Sequence, residues 1–222
     1  ALAAQLLGVR ATVFMPEGAT IPKVQATRAY GAEVRFAGST IDEALSAAIT
    51  FGEETGAVLI HPFDHVDIVA GQGTVGLEIL QKVPDVRTIV VCTGGGGLLA
   101  GIAMAVKSQR PDVRIVGVQA QEAAAYPPSL AAGKPVHLDR MATMADGIAV
   151  GRPGAVPFAI VQGYVDDIET VSEVEISRAV LLLLERAKLL VEPAGAVATA
   201  AVLANPRSFE PPVAVVISGG NV

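Results

Sequence analysis

The chain has 222 residues, a formal net charge of -6, a pI near 5.1 and a mean hydropathy of +0.51. The acidic balance, with no Lys or Arg cluster, excludes a nucleic-acid surface, and charges break every apolar run short of the ~18 residues a membrane span needs. With 51% hydrophobic residues the chain can bury one large domain or two small ones, and its single cysteine excludes an internal disulfide and fits a reducing cytoplasm.

The opening, ALAAQLLGVRATVFMP, reads as a helix already under way, with no Ser, Thr, Asp or Asn to cap it, so a fragment of a longer protein is expected. Strands are predicted at 11–15 and 33–36 around a helix at 22–30. A helix at 41–55 follows, capped by Ser39 or Thr40 with Asp42 and Glu43 in its first turn. A third strand is predicted at 58–60, and HPFD at 61–64 then reads as a domain crossing that divides the chain into 1–62 and 63–222. The next helix, at 73–82, begins inside GQGTVG, whose Gly71, Gly73 and Gly76 match a dinucleotide fingerprint. No strand runs directly into that match and no acidic residue ends a strand about 20 positions later, so it is read as fortuitous. A strand at 88–91 runs through Cys92 and Thr93 into four glycines and resumes as a helix at 98–109. Strands at 114–118, 167–171 and 213–217 then alternate with helices at 155–162, 174–188 and 196–203, with loops at 126–135 and 151–157. This alternation predicts an α/β fold around mostly parallel sheets.

The stretch TIVVCTGGGGLLAGIAMAV carries the strongest chemical signal. A strand that stops in Gly94, Gly95, Gly96 and Gly97 and restarts as a helix leaves backbone N–H groups aimed at one place, where the helix dipole adds positive charge. Residues without a Cβ let the backbone approach a phosphate from several sides; a flexible turn is the alternative. Leu98 and Leu99 follow where a P-loop needs Lys and Ser or Thr, so nucleotide hydrolysis is not expected. Cys92 reads as a small buried hydrophobe rather than a nucleophile. Glu192 in EPAGA suits either a site role or stabilisation of a helix N-terminus, and Ser218 by itself reads as a turn residue in a Gly-rich loop. His61, Asp64 and His65 complete no metal spacing and are assigned surface or loop roles; no metal is expected from side-chain clusters.

HPFD with GQGT, TGGGGL, EPAGA and SGGN occur in one order, and together with the opening PEGATIPKVQATRAYGAEV they resemble the threonine and serine ammonia-lyases and serine racemases of the fold type II pyridoxal phosphate enzymes. The resemblance covers the whole chain. It implies two three-layer α/β domains of the tryptophan synthase β-like type, a cytoplasmic enzyme of amino-acid metabolism such as isoleucine biosynthesis, and a homo-oligomer, dimer or tetramer, acting on a small amino acid. It assigns the cofactor phosphate to Gly94, Gly95, Gly96, Gly97 and Leu98 and the pyridine nitrogen to Ser218, with Glu192 as support for the site. Where some relatives hold a cation with carboxylates, this chain carries Gln119, Ala123 and Ala125, which argues against a divalent ion and leaves open a monovalent one held by carbonyls.

The family's Schiff-base lysine belongs to an S-F-K-x-R-G motif, and none of Lys23, Lys82, Lys107, Lys134 or Lys188 has that context. By this resemblance the catalytic lysine lies upstream of Ala1, and the chain alone is expected to be inactive. Three readings follow. The first is pyridoxal phosphate-dependent conversion of L-threonine to 2-oxobutyrate and ammonia, the second is a serine racemase or serine ammonia-lyase, and the third is a catalytically dead module that keeps the phosphate cradle.

Overall fold

Helix α1 (Leu2–Leu7), strand β1 (Thr12–Met15), helix α2 (Ile21–Ala29), strand β2 (Glu33–Phe36) and helix α3 (Ile41–Thr55) make up the first of two compact units in the computed structural model, which describes residues 1–220. This unit spans residues 1–61 and the second spans 62–220. In the first, β1 and β2 pair in parallel, Thr12 opposite Glu33. Thr40 caps α3 through a reciprocal box: the Glu43 N–H donates to Thr40 Oγ1 at 3.2 Å, and the Glu43 carboxylate accepts from the Thr40 N–H at 3.2 Å. Phe51 of α3 packs on Phe14 of β1 at 5.5 Å between ring centroids, beneath the Arg35 guanidinium.

The strand predicted at 58–60 does not form, and Val58 and Ile60 are 86% and 72% exposed. A β-prone run becomes a strand only where a neighbour accepts its N–H and C=O groups, and among the described residues the β1–β2 pair takes in no third strand.

The second unit contains α4 (Val66–Lys82), β3 (Thr88–Cys92), α5 (Gly97–Gln109), β4 (Arg114–Ala120), α6 (Tyr126–Ala132), α7 (Ala155–Tyr164), β5 (Asp167–Val171), α8 (Glu173–Leu182) with a π-helical turn at Leu183–Ala187, α9 (Pro193–Ala204) and β6 (Val213–Val215). Its four strands are all parallel in the order β5-β4-β3-β6. Alternation along the strands sorts the core into two faces. Ile89, Val91 and Ile115 pack with residues of α4, α5, α6 and α7, whereas Val90, Cys92, Val116 and Val118 pack with α8 and α9. The result is a three-layer α/β unit buried on both sides of its sheet.

In the second unit three elements differ from the sequence expectation. Helix α4 starts at Val66 rather than residue 73, because His65 caps it: its Nδ1 accepts from the Asp67 N–H at 3.2 Å. The glycines of GQGTVG then lie inside the helix. A Cβ on Gly101 of α5 would come within 2.7 Å of the Gly73 nitrogen, and one on Gly76 within 3.1 Å of the Ile102 carbonyl oxygen. The spacing serves close helix packing, not a dinucleotide. Residues 126–132, expected as loop, form α6, since Pro127 and Pro128 sit in the first turn, where their missing N–H groups would have no helical partner. Finally, β6 ends at Val215 instead of residue 217, although the Val216 N–H still donates to the Val90 carbonyl at 3.0 Å.

Ser172 caps α8 by the same device as Thr40: its backbone N–H donates to Glu175 Oε2 at 2.7 Å, and its Oγ accepts from the Glu175 N–H at 3.4 Å. The Ser172 N–H holds the Glu175 carboxyl below its ordinary range. A depressed folded-state value contributes stability above the unfolded value of about 4.3 and loses it as pH falls through the folded one. Replacing Ser172→Ala is expected to cost about 1 kcal/mol at neutral pH. Urea unfolding should show that difference, and it should shrink below about pH 4.

Candidate functional site

The carboxyl ends of β3, β4 and β6 bring three segments to one edge of the sheet: Thr93 and the glycines, Gln119 and Ala120, and residues 216–220. That edge is where open parallel sheets bind ligands.

The glycine loop is fixed by its carbonyl oxygens. Thr93 O accepts from Gln119 Nε2 at 3.2 Å, and Gly95 O accepts from the Tyr126 hydroxyl at 3.3 Å and the Gly154 N–H at 3.0 Å. Gly96 O accepts from the Ala100 N–H at 2.8 Å as α5 begins. In a planar trans peptide the C=O and the next N–H point in opposite directions. Carbonyls tied into the protein therefore turn the N–H groups of Gly94, Gly96 and Gly97 away from it. Among the described residues, none of the N–H groups from Gly94 to Leu98 donates to a protein acceptor, although Gly95, Gly96 and Gly97 are buried. Five donors without acceptors at the positive end of α5, and no charged side chain among those residues, fit a compact anion such as the phosphate of a bound cofactor.

Each glycine also has a steric reason. Gly96 has φ +98°, and a Cβ there would run into the Tyr126 hydroxyl. A Cβ on Gly95 would enter the Phe63 ring, and those on Gly94 and Gly97 would lie 3.0 Å from Ile148 Cα and Phe63 Cβ respectively. Tyr126 is fully buried, and burial, with the Asp64 charge adding to it, pushes its hydroxyl above the usual range. It stays protonated as a donor. Asp64 caps α7, accepting from the Ala155 and Val156 N–H groups at 2.9 and 2.8 Å.

Ser218, exposed beyond β6, places its Oγ 2.9 Å from the Sγ of Cys92 at the end of β3. Burial raises the Cys92 thiol, the Ser218 contact opposes that shift, and the Glu192 charge adds to it. The sulfur therefore stays a neutral thiol at ordinary pH. Glu192, only 9% exposed, precedes α9 and makes no side-chain cap to that helix. Its backbone N–H donates to Gly219 O at 3.1 Å, and a Cβ on Gly219 would run into its carboxylate. The fold thus brings Ser218 and Glu192 together through Gly219. Asn221, the last residue of SGGN, lies outside the described residues.

Sequence reasoning missed Gln119 as a structural anchor and passed over Phe63 and Tyr126. A signal for Gln119 was present: a lone amide near the end of the apolar strand IVGVQA needs partners if buried. Replacing Gly96→Ala, which combines a positive φ with a collision, is expected to destabilise the second unit by about 3 kcal/mol or more, measured by chemical unfolding.

Residues 1–219 match the family of pyridoxal-phosphate dependent enzymes. The chain is 47% identical over 222 residues to an L-threonine ammonia-lyase of Thermotoga maritima, covering all of this chain and 55% of that protein. Among solved structures, a threonine deaminase from T.th. superposes with a TM-score of 0.93 at 42% identity, over 100% of this chain and 73% of that one. Maize serine racemase superposes with a TM-score of 0.93 at 36% identity, over 100% of this chain and 69% of that one. The chain spans about half the length of the curated relative, 55%. Its match over residues 1–219, on a fold of parallel sheets, places the chain in the pyridoxal-phosphate dependent enzyme family.

Proposed function

We propose that this chain forms the phosphate-holding part of a pyridoxal phosphate-dependent threonine ammonia-lyase, which converts L-threonine to 2-oxobutyrate and ammonia. The observation that carries the reading is that none of the N–H groups from Gly94 to Leu98 donates to a protein acceptor among the described residues. The name of the Thermotoga maritima relative supports the choice of reaction. When bound, pyridoxal phosphate supplies an electron sink for bonds broken at the amino-acid Cα.

The residues of the chain hold and orient. Backbone N–H groups of Gly94, Gly95, Gly96, Gly97 and Leu98 would carry the phosphate, and because amides do not titrate, the donors stay the same across ordinary pH while the phosphate's own ionisation sets its charge. Ser218 would meet the pyridine nitrogen with a neutral hydroxyl, which can donate a hydrogen bond without adding a charge to the ring. Glu192, held beside Gly219, would support the same end of the site. Gln119, Ala123 and Ala125 put no carboxylate at the positions where some relatives hold a cation, which argues against a divalent ion bound there and leaves open a monovalent one held by carbonyls. The setting proposed is cytoplasmic, as a dimer or tetramer; no helix among the described residues is long and apolar enough to cross a membrane.

Serine racemisation is the second reading, favoured by the likeness to maize serine racemase. The two separate by product. The full-length protein, supplied with pyridoxal phosphate, is expected to release 2-oxobutyrate from L-threonine faster than it forms D-serine from L-serine. Predominant D-serine would support the second reading, and cofactor binding with neither product would identify a module without catalysis.

A further inference from the structure

Gln119 lies in β4 between Val118 and Ala120, and its side chain is fully buried. A buried carboxamide costs about 1–3 kcal/mol unless both of its ends are bonded. Here both are. Nε2 donates to Thr93 O at 3.2 Å and Oε1 accepts from the Tyr126 N–H at 2.8 Å. The partners fix the amide's orientation, because Thr93 O can only accept and the Tyr126 N–H can only donate. Tyr126 in turn donates its hydroxyl to Gly95 O at 3.3 Å. A single buried side chain is thereby connected to two alternate peptides of the glycine loop, 93–94 directly and 95–96 through Tyr126.

We propose that Gln119 is the positioning residue of the anion cradle: by holding the Thr93 carbonyl inward, and by anchoring the tyrosine that holds the Gly95 carbonyl inward, it turns the Gly94 and Gly96 N–H groups toward the phosphate. This rests on reading residues 94–98 as a phosphate cradle. Gln119 itself touches no ligand in this role. A carboxylate at 119 would keep the acceptor for the Tyr126 N–H but set an oxygen lone pair against Thr93 O, and the 93–94 peptide would lose the bond that orients it. An apolar side chain of similar length would remove both bonds without adding charge.

The test titrates inorganic phosphate at pH 8 into the ¹⁵N-labelled chain and follows the amide resonances of residues 94–98. The unmodified chain is expected to show saturable downfield shifts at Gly94, Gly96, Gly97 and Leu98. In Gln119→Glu and in Gln119→Met the Gly94 shift should be lost and the affinity should fall about tenfold or more, the loss of one hydrogen bond to a charged group. Ser172→Ala, which weakens a cap on α8 away from the loop, should lower stability and leave phosphate affinity unchanged. If either folded Gln119 variant binds phosphate with the original affinity and Gly94 shift, the role of Gln119 is overturned while the cradle stands. No saturable shift at residues 94–98 in the unmodified chain would overturn the cradle, and the role of Gln119 with it.

Discussion

The direction of a few peptide planes governs this site. Between β3 and α5 the carbonyls of Thr93, Gly95 and Gly96 are each engaged by the protein, and planarity then sends the neighbouring N–H groups the other way. Without that sorting the same four glycines would be a loop free to present oxygen or hydrogen to a ligand, and an anion would meet both. With it, the N–H groups of Gly94, Gly96 and Gly97 are turned away from the carbonyls the protein holds, and Gly95, Gly96 and Gly97 are buried.

Other packing in the second unit converges on the same loop. The loop can lie against Phe63 because Gly95 and Gly97 have no Cβ, and Asp64, the next residue, caps α7. Gly154, which precedes α7, donates to Gly95 O. Glycines at 73, 76 and 101 let α4 approach the backbone of α5, the helix that the glycine loop runs into. On the opposite face of the sheet, Cys92 supports Ser218 from beneath through a 2.9 Å contact. Most of this site is backbone and apolar surface. Two of its titratable groups, Tyr126 and Cys92, are pushed by burial toward their neutral forms.

Much of the fold was legible because its signals are local. Val- and Ile-rich runs separated by helical patterns mark an α/β chain, and the capping box at Thr40 and Glu43 falls where the Ser-Thr-x-Asp-Glu pattern puts it. The glycine loop between a strand and a helix was legible as a place to look for a ligand, because four glycines there have few other uses. What stayed hidden depends on contacts distant in sequence. Nothing near Gly73 tells whether a glycine breaks a helix or packs one, since Gly101 decides it from 28 residues away, the difference of the two residue numbers. Val58–Ile60 carries the residues of a strand, and pairing alone would make it one. Gln119 announces its need for partners but not their identity, because Thr93 meets it only once β3 and β4 are paired in register and Tyr126 only once α6 forms seven residues further on.

A crystal structure of the chain grown with pyridoxal 5'-phosphate tests the peptide orientation most directly. Phosphate oxygens should lie about 2.7–3.2 Å from the backbone nitrogens of Gly94, Gly96, Gly97 and Leu98, with the Thr93 and Gly95 carbonyls still turned to Gln119 and Tyr126. A phosphate bound elsewhere on the chain, or one facing flipped carbonyls in this loop, would contradict it.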